Sequence, residues 1–460
     1  MLIRGGTVVT ATAEWRADIL VEGQRIAAVG DGLRAADDAP IIDAEGLYVL
    51  PGVVDPHTHF SLDTGSGRTA DDFVSGTASA AAGGVTTYIN FATQHPGQDF
   101  RQALAAVREQ AEGCSYVDFG LHLNVTRLHE GWERELEQVV AAGVSSAKVY
   151  TTYKGTVFYV DDWTIFRLME RSGGAGLLVQ MHAENDDILE GRKQELVAAG
   201  RTSLAYHGTA RPAVAESEAV ARGIFFCRVT GSPIYFVHLS SPLSVDLVAE
   251  ARRQGLSVIA ETCPHFLLLD DRVYQGPEAI RYLMTPPIRS AEMQAALWER
   301  VATGRIHSLG SDHCGYSLTQ RGASGDFREV SPGIPGVETL LPLIYSDGVA
   351  RGRLDMPALV QLTSANPARI FGLAPRKGTL APGADADLVL FDPRATGPLR
   401  AQELHSASGY SPYEGLDLQG RVRATISRGR VIYERGRITG DPTWGRFLQR
   451  APFDAAASLA

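Results

Sequence analysis

Between residues 52 and 373 the chain alternates short apolar runs with amphipathic stretches, and this alternation most limits what it can fold into. The strand-like runs are VTTYINFA, DFGLHLNV, SSAKVYTTY, GLLVQMHAE, PIYFVHLSS, LSVIAETCPHF and IHSLGSDH. Between them lie stretches with helical spacing, among them QDFRQALAAVREQAEG, WERELEQVVAAG, DDWTIFRLMERSGG and SVDLVAEARRQG. The unit recurs about eight times over roughly 320 residues, the pattern and size of an α/β (β/α)8 TIM-type barrel. A doubly wound open sheet is the alternative, but no GxGxxG-type loop follows the first strand to favour it.

The two ends have a different texture. LIRGGTVVT, ADILVEGQRIAAVG and APIIDAEGLYVLPG near the start resemble ADADLVLFDP and RVRATISRGRVIYERGRITG near the end. All are β-branched runs punctuated by Gly and Asp. Strand-rich ends with unpaired edges must pair somewhere. Residues 1–51 and 374–440 are therefore expected to form one small β-sandwich domain, with residues 52–373 as the barrel and 441–460 as a tail for packing and oligomer contact.

Bulk properties exclude several functions. The net charge is -10 without a long run of either sign, which does not suit nucleic acid or an anionic membrane. No apolar stretch approaches the length of a membrane span, and the N-terminus has no continuous apolar core of a signal peptide. The four cysteines are scattered without a CxxC pair, which points to a reducing, cytoplasmic setting.

In a barrel of this kind, chemistry belongs at the C-terminal strand ends. There the sequence VLPGVVDPHTHF delivers His57 and His59, SSAKVY delivers Lys148, LLVQMH ends at His182, IYFVH ends at His238, and IHSLGSD reaches Asp312. Positions i and i+2 of a strand share a face, so His57 and His59 can both point into the mouth. Imidazoles and a carboxylate are ligands for Zn, Mn, Fe or Co, and this many donors fits two metals sharing a bridging hydroxide. A free ammonium at Lys148 would be costly in a buried strand and repelled by two cations. A carbamate formed from Lys148 and carbon dioxide removes both problems and bridges the metals. Each member alone has a bland reading: Asp312 as a helix cap, Lys148 as a half-exposed strand residue, and HxH as a structural pair. His122, His207, His265 and His405 are read as ordinary hydrogen-bonded histidines.

At these residues the chain resembles the cyclic amidohydrolases, and within them the dihydropyrimidinase/D-hydantoinase group. PGVVDPHTHF is similar to the family's opening PGxxDxHxH signature, and RTADDFVSGTASAAAGGVTTYINF to the stretch that follows it. SAKVYTTYK, MHAEN, VHLSS, ETCPHFLLLD, TPPIR, GSDHCGY, LTSANPARIFGL and HSASGYSPYEG recur in family order. The resemblance implies a binuclear zinc centre held by His57, His59, carboxylated Lys148, His182, His238 and Asp312. It further implies Asp312 as proton shuttle, Tyr153 as hydrogen-bond donor to the substrate carbonyl and oxyanion, Thr285 as a contact for the ring amide, and a homotetramer or homodimer.

Two departures and one discriminating residue stand out. Pro332 replaces the Asn of a usual Pro-Asn-Gly, and proline supplies no N–H. Asn90 stands where Asp is usual. Phe60 follows HxH where dihydroorotases typically carry an arginine for the substrate carboxylate, which disfavours dihydroorotate and makes Phe60 the expected start of substrate choice. The expected reaction is hydrolysis of a dihydropyrimidine or hydantoin ring to an N-carbamoyl amino acid. The alternatives are an allantoinase or another cyclic-ureide hydrolase, an enzyme for a more exotic amide (kept open by Pro332 and the SLDTGSGR loop), and a non-catalytic scaffold.

Overall fold

The computed structural model describes residues 1–64 and 67–456; Gly65 and Ser66 of the SLDTGSGR loop and the last four residues of the tail lie outside the described residues. Eight strands form the central sheet: β6 (Val53–Thr58), β7 (Val85–Thr93), β8 (Asp118–Asn124), β9 (Ser146–Tyr150), β10 (Leu178–His182), β11 (Ile234–Phe236), β12 (Val258–Thr262) and β13 (Ser308–Leu309). They lie side by side in chain order, and every pairing is parallel. The ring closes beyond β13, where His313 bridges Thr58 and its carbonyl accepts the His59 N–H at 2.8 Å.

The sequence pattern explains the layers. Every residue of β7 and β8 is buried, as expected for strands covered by side chains inside and helices outside. The surrounding helices are one-sided: in Trp132–Ala141, Trp132, Leu136, Val139 and Val140 are buried, a helical stripe facing the sheet. Asp72, Asp99, Asp161, Asn185 and Ser290 cap their helices by accepting a first-turn N–H. Such caps contribute about 1 kcal/mol each.

The chain ends meet in one continuous sheet of nine strands. The N-terminal members are β1 (Leu2–Val9), β2 (Glu14–Glu22), β3 (Arg25–Gly30), β4 (Ile41–Asp43) and β5 (Tyr48–Pro51). The C-terminal members are β14 (Leu388–Pro398), β15 (Asp417–Ser427), β16 (Arg430–Glu434) and β17 (Arg437–Ile438). The two groups join where β5 pairs antiparallel with β14, Pro51 opposite Leu388. Ile3, Val8, Ile19, Val49, Leu388 and Ile426 belong to a core separate from that of the barrel. Gly52 carries the chain from one sheet to the other; a Cβ there would lie 2.0 Å from Thr86 Oγ1, so only glycine passes.

The described part of the tail packs on its own barrel. Leu448 N donates to Phe119 O at 2.7 Å, and the buried Leu448 side chain joins Val54, Ile89, Tyr235 and Phe371 at the barrel floor. Arg450 is buried beside it and donates to Ser146 Oγ at 2.9 Å.

Candidate active site

The six side chains expected to bind metal converge at the C-terminal mouth of the barrel. His57 Nε2 lies 2.9 Å from Lys148 Nζ and 3.2 Å from Asp312 Oδ1. His59 Nε2 is also 3.2 Å from Asp312 Oδ1. Donor atoms of His57, His238 and Asp312 all fall within 4.8 Å of one another. The His182 ring meets the His238 ring edge-on at 4.5 Å, and the His57 ring lies 5.3 Å from that of His238.

Buried carboxylates orient these imidazoles from behind. Glu261 Oε1 lies 2.7 Å from His57 Nδ1 and accepts the His238 backbone N–H at 2.9 Å. Glu184 Oε2 lies 2.8 Å from His182 Nε2, and Arg211 pairs with the same carboxylate. His57 Nε2 is left facing the cluster, toward Lys148 and Asp312. His59 Nδ1 is buried with no hydrogen-bond partner among the described residues. A mixed nitrogen and oxygen set backed by carboxylates fits a borderline divalent cation.

The electrostatics agree. Burial, then the charge of Lys148, holds His57 well below the usual imidazole range; burial, then His182, does the same to His238. Burial pushes the Lys148 amine down to about 8, against the pull of Asp312 and Glu261. Burial alone would raise the Asp312 carboxyl, but His57 and His59 outweigh it and hold it well below the carboxylate range. The cluster thus offers imidazoles whose protonation burial opposes, a carboxyl held low by its imidazole neighbours, and an amine that loses its proton more readily than usual.

A cavity of about 380 Å³ opens over these donors. Its wall includes His59, Lys148, His182, His238 and Asp312, together with Tyr153, Thr285 and Pro332. Tyr153 lies in the left-handed region at φ 71, and Asp186 Oδ1 accepts its backbone N–H at 2.7 Å. Its hydroxyl hydrogen-bonds Thr285 Oγ1, and burial keeps the phenol protonated well above its usual range. Asp312 and His238 also have positive φ, 47° and 39°. Such backbone strain in non-glycine residues persists only where the surroundings enforce it, and it gathers at functional sites.

Phe60 does not line the cavity: its ring is buried against Phe73, Tyr88 and His313. Leu62, Tyr150, Phe158, Cys314, Tyr316 and Val330 line it instead. The supporting Glu184, Glu261 and Arg211 were also missed, although Glu184 follows His182 at the i+2 spacing already used for HxH. His122 lies deeper, its ring nitrogens meeting Ser146 Oγ at 2.6 Å and Pro56 O at 2.9 Å.

A parallel barrel whose strand ends bring imidazoles, a carboxylate and a lysine to one cavity defines a class of barrel hydrolases. The chain belongs to the amidohydrolase family, whose sequence model matches residues 48–432. It is 39% identical over 457 residues to a D-phenylhydantoinase of Escherichia coli K12, covering 98% of each chain. The crystal structure of a dihydropyrimidinase from Brevibacillus agri NCHU1002 superposes with a TM-score of 0.96 at 38% identity, covering 98% of this chain and 99% of that one. An L-hydantoinase (dihydropyrimidinase) from Arthrobacter aurescens gives 0.90 at 31% identity over the same shares.

Proposed function

We propose that this protein hydrolyses the amide bond of a five- or six-membered cyclic ureide, a hydantoin or dihydropyrimidine, to an N-carbamoyl amino acid. The observation that carries this reading is one cavity walled by five of the six donors together with Tyr153, with His57 behind them touching Lys148 and Asp312. The similarity to hydantoinases and dihydropyrimidinases over nearly the whole chain supports it.

His57, His59, Lys148, His182, His238 and Asp312 would hold two zinc ions, which supply a water of lowered pKa and a polarised carbonyl. The Lys148 amine is suited to carboxylation because burial weakens its hold on a proton. The neutral amine attacks carbon dioxide, forming an N–C bond and releasing one proton, and the resulting carbamate offers two oxygens.

Asp312 accepts the proton of the attacking water and returns it to the leaving ring nitrogen, base first and acid second. Tyr153 donates to the carbonyl oxygen as charge develops on it. Pro332 has no N–H, and the Gly333 N–H is committed to Leu283 O at 2.9 Å. The donor left to that segment for a ring carbonyl is Ser331, on the same cavity wall.

Metal analysis with turnover of 5,6-dihydrouracil, hydantoin and allantoin tests the reading. About two zinc per chain and opening of dihydrouracil or hydantoin is the expected result. A metal-free protein inert on all three rings would sink it; turnover of allantoin alone would move it to the allantoinase reaction.

A further inference from the structure

Asp312 is followed by a histidine whose ring lies outside the cavity. His313 Nδ1 accepts the backbone N–H groups of Gly336 and Val337 at 3.2 and 3.3 Å. That nitrogen therefore carries the lone pair, and the proton sits on Nε2. Nε2 donates to Asp71 Oδ2 at 3.0 Å. Asp71 also accepts from Ser406 Oγ at 2.5 Å and from the Ala407 N–H at 2.8 Å. Both side chains are sealed from solvent, at 1% and 0% exposure.

This pair ties together pieces that are remote in sequence. Asp71 lies just before Asp72, the N-cap of the helix Phe73–Ala82; Gly336 and Val337 follow the Pro332 wall, and Ser406 lies beyond the barrel. The His313 carbonyl accepts from His59 N, a cluster residue. Asp312, one residue back, is held at φ 47 with Oδ1 3.2 Å from both His57 Nε2 and His59 Nε2. A non-glycine residue in this conformation needs external support.

We propose that Asp71 and His313 are positioning residues that hold the Asp312 carboxylate in register for proton transfer. The proposal rests on the reading of Asp312 as proton carrier. It does not require either residue to titrate. Asn at position 71 cannot serve: one amide end must accept from His313 and Ser406, and the NH2 end then faces the Ala407 N–H. Reversing the imidazole tautomer would put an N–H against those of Gly336 and Val337.

The test uses the full chain with Asp71→Asn and His313→Asn. The second keeps an acceptor for Gly336 and Val337 but cannot reach Asp71. Both variants are expected to fold and bind metal as wild type does, with kcat down about 100-fold and KM within about threefold, the signature of a displaced reacting group. In 15N-histidine-labelled wild type, the His313 N–H gives a slowly exchanging proton signal that Asp71→Asn loses. Should one variant misfold, the other carries the test. Wild-type kcat in the folded variants, kcat lost in step with bound metal, failure of both to fold, or no such signal in wild type would each overturn the proposal. If wild type opens no cyclic ureide, the functional reading fails, while the N–H signal and its loss in Asp71→Asn still decide the clamp.

Discussion

Asn90 grips the backbone of Phe60 at both polar atoms. Its Oδ1 accepts the Phe60 N–H at 2.9 Å, and its Nδ2 donates to the Phe60 carbonyl at 3.1 Å. Oδ1 also accepts from Thr58 Oγ1 at 3.1 Å. The clamp sets the chain direction on either side of His59. Asn90→Asp removes the only side-chain N–H of this contact and buries a carboxylate in its place. An unmet buried carbonyl costs about 1–3 kcal/mol, so the urea midpoint should fall accordingly. An unchanged midpoint would show that the clamp carries no net stability.

Asp312→Asn should leave a folded protein that opens rings at least about 100-fold more slowly, because an amide cannot take the proton of the attacking water. Circular dichroism and turnover of dihydrouracil, hydantoin and allantoin check both halves. Normal turnover would remove Asp312 from the mechanism.

Tyr153→Phe deletes the hydroxyl that meets Thr285 Oγ1 and faces the cavity. Loss of one donor to a developing oxyanion costs about 100-fold in kcat. Steady-state kinetics should show that loss chiefly in kcat; a purely KM effect would reassign Tyr153 to ground-state binding.

Removal of metal by a chelator should abolish turnover, and added zinc should restore it. On the proposed role of Lys148 as a ligand shared by two ions, Lys148→Ala should retain at most about one ion per chain. Intact mass spectrometry of wild type under gentle conditions should show the added mass of one carbon dioxide. Full metal retention in Lys148→Ala would argue against the bridge.

His265 is fully buried, and neither ring nitrogen has a hydrogen-bond partner among the described residues. Burial lowers its pKa to about 4, only slightly opposed by Asp312. The folded protein therefore binds fewer protons than the unfolded chain between about pH 6.5 and 4. The contribution of the neutral ring is complete above the unfolded pKa and is lost as pH falls through that window. His265→Leu does not titrate, so its stability relative to wild type should rise by on the order of 3 kcal/mol from pH 7 to pH 4. Denaturation of both proteins across that range measures the difference, and a pH-independent difference would contradict the burial argument.

Much of this molecule was legible before folding. The alternation of strand and helix periods named the barrel, and the matched β-branched ends named a shared β-sandwich domain, whose strands the structure joins in one nine-stranded sheet. The cluster residues were readable because local periodicity decides which side chains reach strand ends, and strand ends meet at one mouth. Phe60 was misread for a related reason. Adjacency to HxH says nothing about direction, and its ring turned to pack on Phe73 and Tyr88.

The sequence by itself therefore determined the barrel architecture and which six side chains stand at the strand ends, because both follow from spacing along one strand at a time. Only the tertiary structure decided which carboxylate backs which imidazole. Glu261 reaches His57 across 204 residues and Asp71 reaches His313 across 242. Such pairings depend on how strands register around the ring and how loops cross its mouth. They are made by atoms that local sequence pattern does not bring together.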